Sequence, residues 1–138
     1  MAGHVDPERA AFEAFKDLPR DEPIHMLNLV RFRDAAEYED GRSATGAEAY
    51  REYGKESGPV FARVGGRIAW AGRPDNMLIG PETESWDAAF IAEYPNASAF
   101  LEMVTDPDYQ RAVKHRQAAV ADSRLIRMKP RSTGGEFG

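Results

Sequence analysis

Ile24-His25-Met26-Leu27-Asn28-Leu29-Val30-Arg31-Phe32 is the stretch whose reading decides the fold. It is apolar at nearly every position and too short for a buried helix, so it reads as a β-strand covered on both faces. The side-chain period of two puts Met26, Asn28, Val30 and Phe32 on one face and His25, Leu27, Leu29 and Arg31 on the other. Upstream, Asp6-Pro7 reads as a helix cap and first helical residue. Phe12, Phe15 and Leu18 follow at helical spacing, and Pro19 closes a short amphipathic helix.

Downstream, Asp34 to Ala44 is polar and turn-rich and reads as a mobile excursion. Gly41 and Gly46 have the glycine spacing of a phosphate loop, but Ala47-Glu48 stands where Lys-Ser/Thr is needed, so that reading fails. Thr45 caps a helix running to about Val64, with Tyr50, Tyr53, Ser57, Phe61 and Val64 as its inward stripe. Pro59 should kink this helix or restart it near Gly58, and Gly65-Gly66 should end it. Arg67 to Ala71 reads as a second strand, which Met77-Leu78-Ile79 continues or extends as an arm. Trp86 to Tyr94 reads as a third strand, with Trp86, Ala88, Phe90, Ala92 and Tyr94 on one face. Asn96 caps a helix over Ala97 to Val104, Asp106-Pro107 starts another that runs through Val120, and Arg124 to Lys129 is the last strand.

Without its N-terminal helix this order is β-α-β-β-α-β, the second helix being in two pieces. That is the α+β, ferredoxin-like arrangement, with an antiparallel four-stranded sheet carrying helices on one face. The other face also needs cover, because the first strand is apolar on both sides, and a second copy of the chain is the simplest cover. The sequence therefore predicts a homodimer. It divides into an N-terminal helical extension (1–22), a ferredoxin-like domain (23–130) and a disordered tail (131–138).

Composition narrows the function classes. The 138 residues suit one domain. Lys and Arg number 18 against 23 Asp and Glu, a net charge of −5 that argues against nucleic-acid partners. There is no cysteine, hence no disulfide, thiolate metal site or cysteine nucleophile. No apolar run approaches the roughly 18 residues of a membrane span, and Met1 to Arg9 lacks the pattern of a signal peptide. No membrane partner and a cytoplasmic location are expected.

Several ordered segments carry a resemblance. They are Met26 to Phe32, Gly46-Ala47-Glu48-Ala49-Tyr50 with Tyr53, Gly65-Gly66-Arg67, Trp86-Asp87, Tyr94-Pro95, and Asp106-Pro107-Asp108-Tyr109-Gln110 followed by Arg116. Over about residues 24 to 129 the chain resembles the family catalogued as domain of unknown function 1330, within the dimeric α+β barrel superfamily. The resemblance implies the ferredoxin-like dimer. It implies no reaction, although the superfamily includes cofactor-free monooxygenases, isomerases and haem-handling enzymes.

Eight residues are candidate ligand contacts. Asn28 is a polar amide in an apolar strand, either orienting a ligand or bonding nearby backbone. Arg31 could bind a carboxylate or pair with Glu93 or Asp87, and Glu93 could act as a base or sit exposed at a strand end. Tyr50 and Tyr53 lie one turn apart on the inward helix face. Trp70 could wall an apolar pocket, as could Trp86. Tyr109 and Arg116 share a face of the last helix and could close over a pocket or staple the helix to the sheet. His4, His25 and His115 have no metal-ligand spacing, and His115, between Lys114 and Arg116, reads as partly exposed. Neither a metal nor a cofactor is expected. The readings are a protein that binds a small apolar or aromatic metabolite between sheet and helices, a cofactor-independent enzyme of monooxygenase or isomerase type working by proton transfer, and a non-catalytic interaction module.

Overall fold

The computed structural model describes residues 3–137. Its elements are α1 (Arg9–Asp17), β1 (Ile24–Phe32), α2 (Gly46–Arg63), β2 (Arg67–Gly72), β3 (Ala88–Tyr94), α3 (Ala97–Thr105), α4 (Pro107–Ala119) and β4 (Val120–Met128). The four strands form one sheet in the order β2-β3-β1-β4, with every neighbouring pair antiparallel. The apolar strand β1 takes a central place, and β2 lies at an edge with all six residues exposed. This is the ferredoxin-like α+β fold. No helix among the described residues is long and apolar enough to cross a membrane.

Local chemistry sets the helix limits. Thr45 and Glu48 form a capping box on α2, each side chain bonding the other's backbone N–H. Gly46 follows the cap where a Cβ would lie 2.0 Å from the Arg33 carbonyl oxygen, so the close approach to the β1 exit requires glycine. At the other end Gly65 takes a φ of 87°, and the N–H groups of Gly65 and Gly66 donate to Ala62 and Phe61 carbonyls. Those two bonds satisfy carbonyls that the last turn leaves open. Asn96 Oδ1 accepts the Ala99 N–H, and Asp106 Oδ1 accepts the Asp108 N–H ahead of Pro107.

Several expected details differ. The first helix starts at Arg9, not at Pro7. Its cap position is Glu8, and Asp6 instead accepts from the Gln117 amide. Helix α2 runs unbroken through Pro59, which is exposed and lacks only the bond its own N–H would make. Strand β3 starts at Ala88, because the Asp87 carboxylate turns to accept the Phe32 N–H at 2.8 Å. Met77-Leu78-Ile79 is not strand. It lies in an exposed arm between β2 and β3, with Leu78 84% and Ile79 90% exposed. Strand β4 starts at Val120, four residues early, where Ala118, Ala119 and Val120 are all buried.

The excursion between β1 and α2 is anchored rather than loose. A bridge pairs Ala35 with Thr45, the Glu37 N–H donates to the Ala118 carbonyl, and Tyr38 bonds His115. The segment before α1 is tied as well. The His4 N–H donates to Asp122 Oδ1, Ser123 Oγ donates to the His4 carbonyl, and Arg127 reaches the Phe15 and Pro19 carbonyls. The tail from Arg131 carries no helix or strand among the described residues.

The core is divided. One cluster packs Ile24, Met26, Ala92 and Tyr94 of the sheet against Val60, Phe100, Met103 and Tyr109. A second gathers Val30, Ala49, Ala119 and Val120, with Phe32, Tyr50 and Phe90 against it. On the helix-facing side of β1, Asn28 is the residue between them, and it belongs to neither.

Candidate functional site

The division of the core coincides with a cavity. It has a volume of about 1340 Å³ and lies between the helix-facing side of the sheet and the helices, with α1 along its rim. Met26, Asn28, Phe90 and Ala92 form its floor. Tyr50, Tyr53, Ser57, Tyr109, Val113 and Arg116 come from α2 and α4, and Phe12 and Phe15 from α1. The volume exceeds the roughly 300–1,000 Å³ of ordinary small-molecule sites.

Strand register positions the floor. Asn28 stands opposite Phe90 on β3 and Leu125 on β4, so its amide is flanked by apolar side chains. Its Nδ2 donates to the Met26 carbonyl of its own strand at 3.0 Å, and Oδ1 has no partner among the described residues. The walls carry three phenols in sequence. The Tyr50 and Tyr53 rings are 5.3 Å apart, and the Tyr53 and Tyr109 hydroxyls share a hydrogen bond of 2.8 Å. Burial pushes all three phenols above their ordinary pKa, so at neutral pH they are protonated. Arg116 Nη1 donates to the Val5 carbonyl and Nη2 to Ser123 Oγ at 3.1 Å.

Five of the eight sequence candidates therefore meet: Asn28, Tyr50, Tyr53, Tyr109 and Arg116. The other three lie on the opposite face of the sheet and do not join them. Glu93 pairs with Arg67 at 2.7 Å and lies 3.9 Å from His25. Arg31 approaches Asp122 at 4.0 Å rather than Glu93 or Asp87. Trp70 is 54% exposed and pairs in register with Ile91, so it cannot wall the cavity. The period of two separates these residues from Asn28, because Arg31 and Asn28 have opposite parity on one strand. Trp86 lies under the Arg124 guanidinium, also outside the cavity lining.

Ser123 and the strap formed by Val5 were not legible as cavity groups, because their partners are more than 100 residues away in sequence or across a strand register. His115 is a correction. It is buried, with Nδ1 2.6 Å from the Tyr38 hydroxyl and Nε2 2.8 Å from Glu56 Oε2. Its charged sequence neighbours hide this, since they point off other faces of α4. Among the described residues no group of three or more His, Cys, Asp or Glu is placed to hold a metal ion.

Comparison with known proteins follows the same lines. The model of a family described as a domain of unknown function (DUF1330) matches residues 41–128, beginning after β1. The methylated RPA0582 protein, solved by crystallography, is 58% identical, with 98% of this chain and all of that chain covered and a TM-score of 0.94. A second structure of RPA0582, described as a protein of unknown function from Rhodopseudomonas palustris, is 57% identical over 96% of this chain and all of that one, with a TM-score of 0.92. More distantly, SnoaB from Streptomyces nogalater, described as a cofactor-independent oxygenase, is 16% identical over 83% of this chain and 99% of its own, with a TM-score of 0.54. At that distance the likeness is one of fold. No curated protein matches the chain.

Proposed function

The chain belongs to the family described as domain of unknown function (DUF1330), and on that premise we propose that it binds a small apolar or aromatic metabolite in the cavity beneath α2 and α4. One observation carries the reading. The core parts into two clusters around Asn28, where a chain built only for stability would place an apolar side chain and close the gap. The cavity walls offer aromatic surface for the body of a ligand and a few fixed hydroxyl, amide and guanidinium groups to orient it. Thermal-shift measurement with methyl 2-naphthoate tests this. The melting temperature should rise, and Val113→Trp, which fills the cavity, should abolish the rise while the protein stays folded. A rise that survives Val113→Trp contradicts the reading.

The working unit we propose is a homodimer joined through the face of the sheet that no helix covers. Leu27, Leu29, Ile91 and Ile126 point to that face with Trp70, and Ile126 and Trp70 are 46% and 54% exposed. A contiguous apolar patch of this kind marks a surface that another protein covers. The arm with Leu78 and Ile79 extends from the same edge of the sheet.

A cofactor-independent enzyme is the second reading, favoured by the paired hydroxyls of Tyr53 and Tyr109. Protonated and fixed in place, the pair spends one hydroxyl hydrogen between its members and keeps the other free to donate to an oxygen on which negative charge develops. Mass spectrometry of hydroxynaphthalenes and conjugated enones incubated in air with the protein separates a binder from an enzyme. New products that disappear in Tyr109→Phe favour the enzyme, and recovered starting material favours the binder.

A further inference from the structure

The arginines of this chain are unequally matched. Arg31 and Arg124 approach Asp122, Arg63 pairs with Asp106, Arg67 with Glu93 and Arg111 with Asp108. Arg116 lines the cavity and is only partly exposed, yet its hydrogen-bond partners are neutral: the Val5 carbonyl and the Ser123 hydroxyl. A guanidinium has five N–H groups, so three remain for another acceptor. A cation withdrawn from water without a counter-charge is costly, and a bound anion would remove that cost.

The surroundings agree. Tyr50, Tyr53 and Tyr109 all lie within the field of Arg116, which opposes the effect of burial on each phenol. Asp6 and Glu8 are the acids at the rim. Asp6 is held by the Gln117 amide, and Glu8 is the residue from which α1 starts. Arg127, another cavity arginine, bonds the Phe15 and Pro19 carbonyls and stands four residues along β4 from Ser123, its guanidinium over the ring of Phe15, while Arg124 bonds the Ser123 carbonyl and Asp122.

We infer that the ligand is an organic monoanion, a planar apolar body bearing one anionic oxygen that Arg116 receives beside the phenol hydroxyls. This rests on the cavity reading above and narrows its ligand class. Two chemistries share that description, an aromatic carboxylate and an ionised enol, and the test separates them.

Isothermal titration at pH 7 would use three probes of similar size. They are 2-naphthoate, the ionised enol 2-hydroxy-1,4-naphthoquinone, and neutral methyl 2-naphthoate. At least one anion should bind the wild-type chain roughly tenfold or more tightly than the ester, the size of one charge-assisted contact. Which anion is preferred identifies the acid type. Arg116→Met should bring the anions down to the affinity of the ester, and Arg116→Lys should keep part of the preference. If the ester binds as tightly as both anions, the charge inference falls and the cavity reading stands. If none of the three probes binds the wild type, both fall, and anions that bind wild type and Arg116→Met equally tightly overturn Arg116 as the group that receives them. The wild-type comparison decides the charge question even if Arg116→Met does not fold.

Discussion

At Asn28 the chain puts an amide where the flanking clusters would accept a branched methyl side chain. Its one hydrogen bond is to its own strand, two residues back. Replacing it with leucine removes an amide that is only half satisfied and adds apolar surface facing Phe90 and Leu125. Asn28→Leu should therefore stabilise the fold by about 1 kcal/mol. It should also weaken cavity binding. Chemical denaturation checks the first part, and a loss of stability would make the amide structural. The phenols give a second expectation. Burial raises Tyr50, Tyr53, Tyr94 and Tyr109 above the ordinary 10.0. An acid whose pKa is raised by folding is neutral in both states below pH 10. Above it, the unfolded chain ionises first, and stability falls as pH rises. These four phenols should thus add little phenolate absorbance to the native protein at about pH 10.5, where a normal tyrosine is mostly ionised, and their increase should arrive only on unfolding.

At the scale of elements, Pro59 offers a clean test. It is exposed within α2 and removes one helical hydrogen bond. Pro59→Ala should raise stability by about 1–2 kcal/mol, read from the denaturation midpoint, since restoring the bond outweighs the added freedom of the unfolded chain. A fall would show that the proline sets a bend α2 needs. The elements themselves were largely legible. The double-sided apolar run placed β1 in the sheet interior, and the caps Thr45, Asn96 and Asp106 marked three helix starts. What escaped was set by contacts distant in sequence. Val120 reads as helical until Phe32 is seen beside it, and the 34–44 segment reads as mobile until Tyr38 meets His115. The candidate site divided by strand parity. Asn28, Tyr50, Tyr53, Tyr109 and Arg116 converge, whereas Arg31, Trp70 and Glu93 were grouped with them for their chemistry, which says nothing about the face they occupy.

At the scale of the molecule, the two faces of the sheet differ. One carries the helices and the cavity. The other carries Leu27, Ile91 and Ile126 with Trp70 at its edge, beside the Arg67–Glu93 ion pair and His25. Light scattering behind size-exclusion chromatography should give twice the chain mass for the wild type and the chain mass for Ile126→Asp. A wild-type monomer at micromolar concentration would refute the dimer and leave the cavity untouched, because the cavity lies on the opposite face. Whether the gap around Asn28 holds a ligand is read by methyl NMR titration with methyl 2-naphthoate. The methyl groups of Met26, Met103 and Val113 should shift, and those of Leu27 and Ile126 should not. Shifts confined to Leu27 and Ile126, or none at all, would contradict a binding site there.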